Sequence, residues 1–141
     1  MRDAIKTGLN LICKMIVLPF VIVCKLEEKF TSGPSEVVFG TCAHILAMLP
    51  GLPGAFLRRG FYSMTLEKCS PHCHIGFGTL ISHRNTTLED HVYIGSYALI
   101  GSAHIGEHAL IGSRASILSG TEVRVRGENG MWTKFSSDRL V

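Results

Sequence analysis

The stretch Leu88–Leu118, LEDHVYIGSYALIGSAHIGEHALIGSRASIL, decides the fold. Aliphatic side chains recur in it at Leu88, Ile94, Ile100, Ile105, Ile111 and Ile117, in steps of six, six, five, six and six. Glycine follows at Gly95, Gly101, Gly106 and Gly112, and a small residue stands four places beyond the aliphatic one at Ala98, Ala109 and Ala115. A period of six matches neither the 3.6 of a helix nor the 2 of a simple strand. It fits short strands meeting at tight corners, the hexapeptide β-helix, with the aliphatic side chains stacked inward from coil to coil. The glycine after each aliphatic residue is expected to permit a sharp backbone bend that a Cβ would oppose.

The repeat extends backward through IGFGTL at Ile75 and ISHRNTT at Ile81, the second one residue longer than the period. Counted from Ile75 to Val123 it makes about two to three coils, few for a repeat array, whose ends need covering. The expected repeat domain is 71–123. Residues 124–141 then read as a polar tail, a loop with a short strand, carrying Arg124, Arg126, Glu128 and the single tryptophan, Trp132.

Residues 1–30 contain an unbroken apolar run from Met15 to Cys24, and the greasy span reaches from Leu9 to Leu26. That length is close to the minimum for crossing a bilayer. No small-x-small cleavage site follows and Lys25 closes the run, which argues against a removed signal peptide. The reading is a membrane-embedded helix, with a buried core helix as the alternative. Pro19 in its middle is tolerated in lipid and expected to kink it. Flanking charge barely differs between the ends, so orientation stays open. Thr31–Ser35, TSGPS, reads as a hinge. Residues 31–70 read as a short amphipathic helix, a break at LPGLP, and a second helix. Arg58 and Arg59 either meet anionic head groups while the 50–62 segment lies at a membrane surface, or sit solvated on helices that pack over the end of the solenoid.

Composition narrows the function. Of 141 residues 46% are hydrophobic and 18% charged, with a net charge of +3. That charge is too mild and scattered for a nucleic-acid surface. Five cysteines (Cys13, Cys24, Cys42, Cys69, Cys73) form no CxxC pair, so reduced thiols facing a cytosol are the expectation. The CSPHCH run, Cys69–His74, has no second ligand pair at zinc-like spacing, and no metal is expected there.

The segments LPGLPGAFLRRGFY, IGFGTLISH, VYIGSYALIG and HALIGSRASILSG together resemble bacterial acyltransferases of the left-handed β-helix, hexapeptide-repeat superfamily, closest to membrane-associated O-acetyltransferases of envelope polysaccharide synthesis. The resemblance runs from the hydrophobic N-terminal helix through Gly120. It implies a mainly β chain: a short left-handed parallel β-helix preceded by hydrophobic and amphipathic helices, assembled as a homotrimer. It further implies transfer of an acyl group from acyl-CoA or acetyl-CoA to a hydroxyl of a sugar or glycan, at the bacterial inner membrane with the repeat facing the cytoplasm. A histidine is the implied general base, since an imidazole can take the proton of a poorly nucleophilic hydroxyl near neutral pH.

Of seven histidines (His44, His72, His74, His83, His91, His104, His108) the first candidate is His83, on the longer repeat within the part that resembles the family. His104, at the five-residue step, is the second; His91 and His108 share its outward repeat positions. Asn85 and Glu89 are candidates to orient the imidazole or contact substrate, and Ser119 and Gly120 to bind substrate or cofactor. The resemblance also implies later coils that help form the CoA groove, which the polar tail replaces here. A truncated, catalytically incomplete scaffold with an oligomerising role is therefore the alternative, and a metal module on CSPHCH a third.

Overall fold

The computed structural model describes residues 2–31, 35–118, 123–126 and 132–135. Helix α1 spans Arg2–Phe30, with Pro19 inside it. Its buried residues Cys13, Val17, Val21 and Cys24 are spaced four, four and three apart, one helical stripe. That stripe joins the apolar core with α2 (Val37–Ala47) and α3 (Gly51–Thr65). The opposite side stays bare: Leu11, Met15 and Ile22 are 62%, 67% and 49% exposed. Thr7–Phe30 is long and apolar enough to cross a membrane, with a mean hydropathy of 2.1. The break between α2 and α3 falls at Met48–Pro50, where proline and a left-handed Gly51 end one helix and turn the chain into the next.

Nine two-residue strands follow: β1 Lys68–Cys69, β2 His74–Ile75, β3 Leu80–Ile81, β4 Thr87–Leu88, β5 Tyr93–Ile94, β6 Leu99–Ile100, β7 His104–Ile105, β8 Leu110–Ile111 and β9 Ser116–Ile117. They form three parallel sheets, β1-β4-β7, β2-β5-β8 and β3-β6-β9, which the chain visits in rotation. This stacking is compatible with a β-helix. Ile75, Ile81, Leu88, Ile94 and Ile100 are fully buried between the sheets, and Ile105 and Ile111 nearly so. The register absorbs both irregular steps of the sequence: Lys68 pairs with Thr87 and Thr87 with His104, a longer coil followed by a shorter one.

Three expectations need correction. The chain is not mainly β: helices of 29, 11 and 15 residues outweigh strands of two, because most of each hexapeptide is spent on corners. Parallel pairing starts before residue 71, at β1. Val123 belongs to no coil; β10 (Val123–Arg126) pairs antiparallel with β11 (Trp132–Phe135) in a separate hairpin.

The glycines also act differently from the expectation. Left-handed backbone occurs at Gly78, His91, Tyr97, His108 and Arg114, three places after the aliphatic residue, not at the glycine next to it. The adjacent glycines Gly76 and Gly95 are needed for close approach instead: a Cβ on Gly95 would lie 2.5 Å from Ser113 N, whereas one on Gly106 meets nothing within 4 Å.

A parallel stack leaves its first coil with an open edge of unpaired backbone groups. Here α2 and α3 close it. Arg58, 1% exposed, donates from Nε to the Ile75 carbonyl (3.2 Å) and from Nη1 to the carbonyls of Leu46 (3.2 Å) and Leu49 (2.7 Å). It thereby satisfies the C-terminal carbonyls of α2, where a cation is also favoured by the helix dipole. The Ile81 N–H donates to Tyr62 Oη (3.2 Å), and the Gly78 N–H to the Ala47 carbonyl (3.0 Å). Burial pushes the Tyr62 phenol up to about 12, so it stays protonated. Arg58 is thus neither solvated nor a head-group ligand. α2 and α3 pack over the open edge of the first strands.

Two stability results are expected from denaturation of the purified protein. Gly95→Ala loses about 1–3 kcal/mol through overpacking, while Gly106→Ala stays within about 0.5 kcal/mol of the parent. Arg58→Met loses about 3 kcal/mol or more, because several buried carbonyls are left unpaired at once. A parent-like Arg58→Met would refute the role of this side chain as the joint.

Candidate functional site

The longer first coil places its extra residue in the Ser82–Thr86 loop, between β3 and β4. Three glutamates hold this loop, the exposed Glu28 through a longer contact with Arg84 Nη1 (3.4 Å). Glu36, just before α2, accepts from the Arg84 N–H through Oε1 (3.0 Å) and contacts His83 Nδ1 through Oε2 (2.6 Å). Glu27, near the end of α1, pairs with Arg84 Nη2 (2.8 Å), and their side chains are 6% and 14% exposed. Glu27 also accepts from the Val38 N–H (3.0 Å) and Ser35 Oγ (2.9 Å), so one carboxylate ties α1 to the start of α2 and to the loop. A carboxylate is well placed there, where the first amides of α2 lack intrahelical partners. Arg84 further lies over the Phe39 ring at 5.3 Å. At the base of the loop the buried Thr86 donates to the Gly101 carbonyl (2.9 Å), fixing it to the next coil.

The His83 side chain remains 44% exposed. An ionised carboxylate only accepts, so Nδ1 is the donor of this contact, and in the neutral ring Nε2 then carries the lone pair. A carboxylate that fixes tautomer and ring direction behind a half-exposed imidazole is the geometry of an oriented general base. His104 sits on β7 next to Thr87, its Nδ1 2.5 Å from Thr87 Oγ1, and no hydrogen bond or ring contact joins it to His83. Asn85 is exposed and makes no hydrogen bond to the imidazole. Glu89 is engaged by Lys68 Nζ at 2.5 Å on another part of the prism. Glu36 is the residue beside the ring, 47 positions earlier in the chain, and no pattern in the sequence points to it. Ser119 and Gly120 lie outside the described residues.

The remaining histidines form other arrangements. His72, His91 and His108 stack along one corner with ring centroids 5.5 and 5.0 Å apart, and His74 stacks on Tyr93 at 4.7 Å. Burial, with Arg58 and Arg59 nearby, holds His74 below the usual histidine range. Stacked rings do not converge on a point, and among the described residues no group of three or more His, Cys, Asp or Glu could hold a metal ion. In the CSPHCH run, Cys69 and Cys73 are free thiols with sulfurs 3.4 Å apart. The hydrogen bond from Cys69 lowers the Cys73 thiol and, with burial, raises that of Cys69.

Comparison with protein-family models, curated proteins and solved structures finds no significant match to this chain.

The loop geometry gives a direct test by hydrogen exchange. Glu36→Ala removes the acceptor of the Arg84 amide, so its protection falls roughly tenfold, the worth of one ordinary hydrogen bond. Glu89→Ala leaves that amide unchanged, because Glu89 serves Lys68. Equal effects from both substitutions would show that Glu36 does not hold the loop.

Proposed function

We propose that this protein is an acyl-CoA-dependent O-acyltransferase built on a left-handed hexapeptide β-helix, seated at the bacterial inner membrane by α1 with the prism facing the cytoplasm. The acceptor is a hydroxyl of an envelope sugar or glycan, and acetyl-CoA or a related acyl-CoA is the donor. The observation that carries the reading is the His83–Glu36 pair at 2.6 Å, presented to solvent from a loop fixed on both sides. The resemblance of the repeat segments to such transferases supplies the reaction class, and the apolar length of α1 supports the membrane seat.

In the proposed reaction His83 Nε2 takes the acceptor hydroxyl proton as the oxygen attacks the thioester carbonyl. Negative charge collects on the former carbonyl oxygen, where backbone N–H groups of a coil corner are suited to receive it. The C–S bond then breaks, and the imidazolium returns its proton to the departing sulfur, giving an ester and free CoA thiol. Glu36 keeps the ring aligned and stabilises the transient imidazolium. Homotrimer assembly, with the donor lying in a groove between subunits, belongs to this proposal.

The test is acyl-CoA turnover by the full chain with a sugar acceptor. His83→Ala is expected to lower the rate roughly 10²- to 10⁴-fold, with Glu36→Gln intermediate and His104→Ala the mildest. Unchanged turnover in a folded His83→Ala protein would remove the assignment. A folded oligomer that binds no CoA in calorimetry would instead favour the scaffold reading.

A further inference from the structure

A concave site that includes no residue of the Ser82–Thr86 loop lies between α1, α3 and the turn before β2. It is a cleft of about 390 Å³, and Asn10, Lys14, Arg59, Ser63 and His72 contribute to its lining. Lys14 belongs to α1, within the span long and apolar enough to cross a membrane. A lysine on such a helix is costly unless it faces protein or water and meets a counter-charge. Among the described residues Lys14 forms no hydrogen bond or ion pair. Among the described residues Arg59 has neutral partners: Asn10 Oδ1, the Cys73 carbonyl at 3.4 Å, and the Phe56 ring at 4.8 Å. Two cations therefore face one cleft with no carboxylate among the described residues paired to either, and the exposed Leu11 and Met15 lie on the same helix.

We infer that this cleft binds the phosphate of a lipid, with Lys14 and Arg59 holding the anionic group and the bare side of α1 receiving the apolar chain. A lipid fits better than a free anion because the cations stand directly beside exposed aliphatic surface. Arg59 is pre-aimed: Asn10 and the Cys73 carbonyl fix its guanidinium, and the aromatic ring backs it, so little side-chain freedom is lost on binding. His72 at the rim adds a donor. The proposal rests on the membrane seat of α1 and not on acyl transfer, so either can fail alone.

The experiment is native mass spectrometry of the full chain released from a neutral detergent, offered dioleoyl phosphatidylglycerol, dioleoyl phosphatidylcholine or inorganic phosphate. Phosphatidylglycerol is expected to be retained about tenfold more than phosphatidylcholine, the scale of one to two charge contacts at a membrane surface. Lys14→Met abolishes that preference, and Lys25→Met, an equal loss of charge on the same helix, preserves it. Arg59→Gln weakens retention too; since Arg59 also packs, its circular dichroism and thermal midpoint are compared with the parent, and Lys14→Met decides if that variant unfolds. Equal retention of both lipids, or an unchanged preference in Lys14→Met, overturns the proposal. Retention of inorganic phosphate at the same strength replaces the lipid by a free anion and overturns it equally. Flotation with phosphatidylcholine vesicles, scored separately, reports whether α1 enters a bilayer at all.

Discussion

The constraint on which this structure depends is the open edge of its first coil. Inside the stack each strand is paired by the coil after it, but β1, β2 and β3 have nothing before them. Backbone groups there must find partners or water, and next to Ile75, where the stacked aliphatic core begins, burial leaves partners as the means. Arg58 resolves this by serving two sets of orphans at once, the Ile75 carbonyl and the last carbonyls of α2. Its burial without a carboxylate is tolerable because four carbonyl oxygens, those of Ile75, Leu46, Ala47 and Leu49, replace its hydration, although desolvation still pulls its pKa below the usual arginine value. Gly54 is part of the same joint: a Cβ there would meet the Leu49 carbonyl oxygen, an Arg58 acceptor, at 2.0 Å.

Once the cap is welded to the coil, the candidate catalytic loop is positioned by elements far from it in sequence. Glu27 and Glu36 reach the loop because α1 and the start of α2 are held against α3, which packs on the first coil, α1 through its Cys13–Cys24 stripe and α2 through Phe39 stacking on Phe61 at 5.7 Å. Both ends of the loop are then fixed, by the carboxylates on one side and Thr86 on the other. A base that must meet a hydroxyl within hydrogen-bond reach gains from such a mount, since small displacements of a catalytic group carry large rate effects.

The ladder of aliphatic residues was legible in sequence because a β-solenoid repeats its inward position at a fixed interval, and the two irregular intervals reappear as a long and a short coil. The reason for the glycines was not. Periodicity shows that a small residue is wanted but not whether φ or space demands it, and here space does at Gly95 while His91, Tyr97, His108 and Arg114 take the left-handed corners. Arg58 and Arg59 look alike side by side, yet one is sealed under the cap and the other lines a cleft, a difference set by helix rotation and not by composition. His83 stood out through a local irregularity. Glu36 did not, because an orienting carboxylate contributed from another element leaves no pattern.

Glu27 sets the relation between α1 and the loop. It sits in the last turns of a helix apolar enough to enter lipid, yet its carboxylate is spent on the α2 amides and on Arg84. Glu27 thus fixes the end of α1 to the start of α2 and to the loop. Breaking the Glu27–Arg84 pair would leave a charge buried beside Arg84 Nε, which already lacks a partner, so the arrangement has little slack. An acceptor carried at the membrane surface would then approach His83 from a direction fixed by α1 itself. That makes the N-terminal helix part of the proposed site's geometry and more than an anchor.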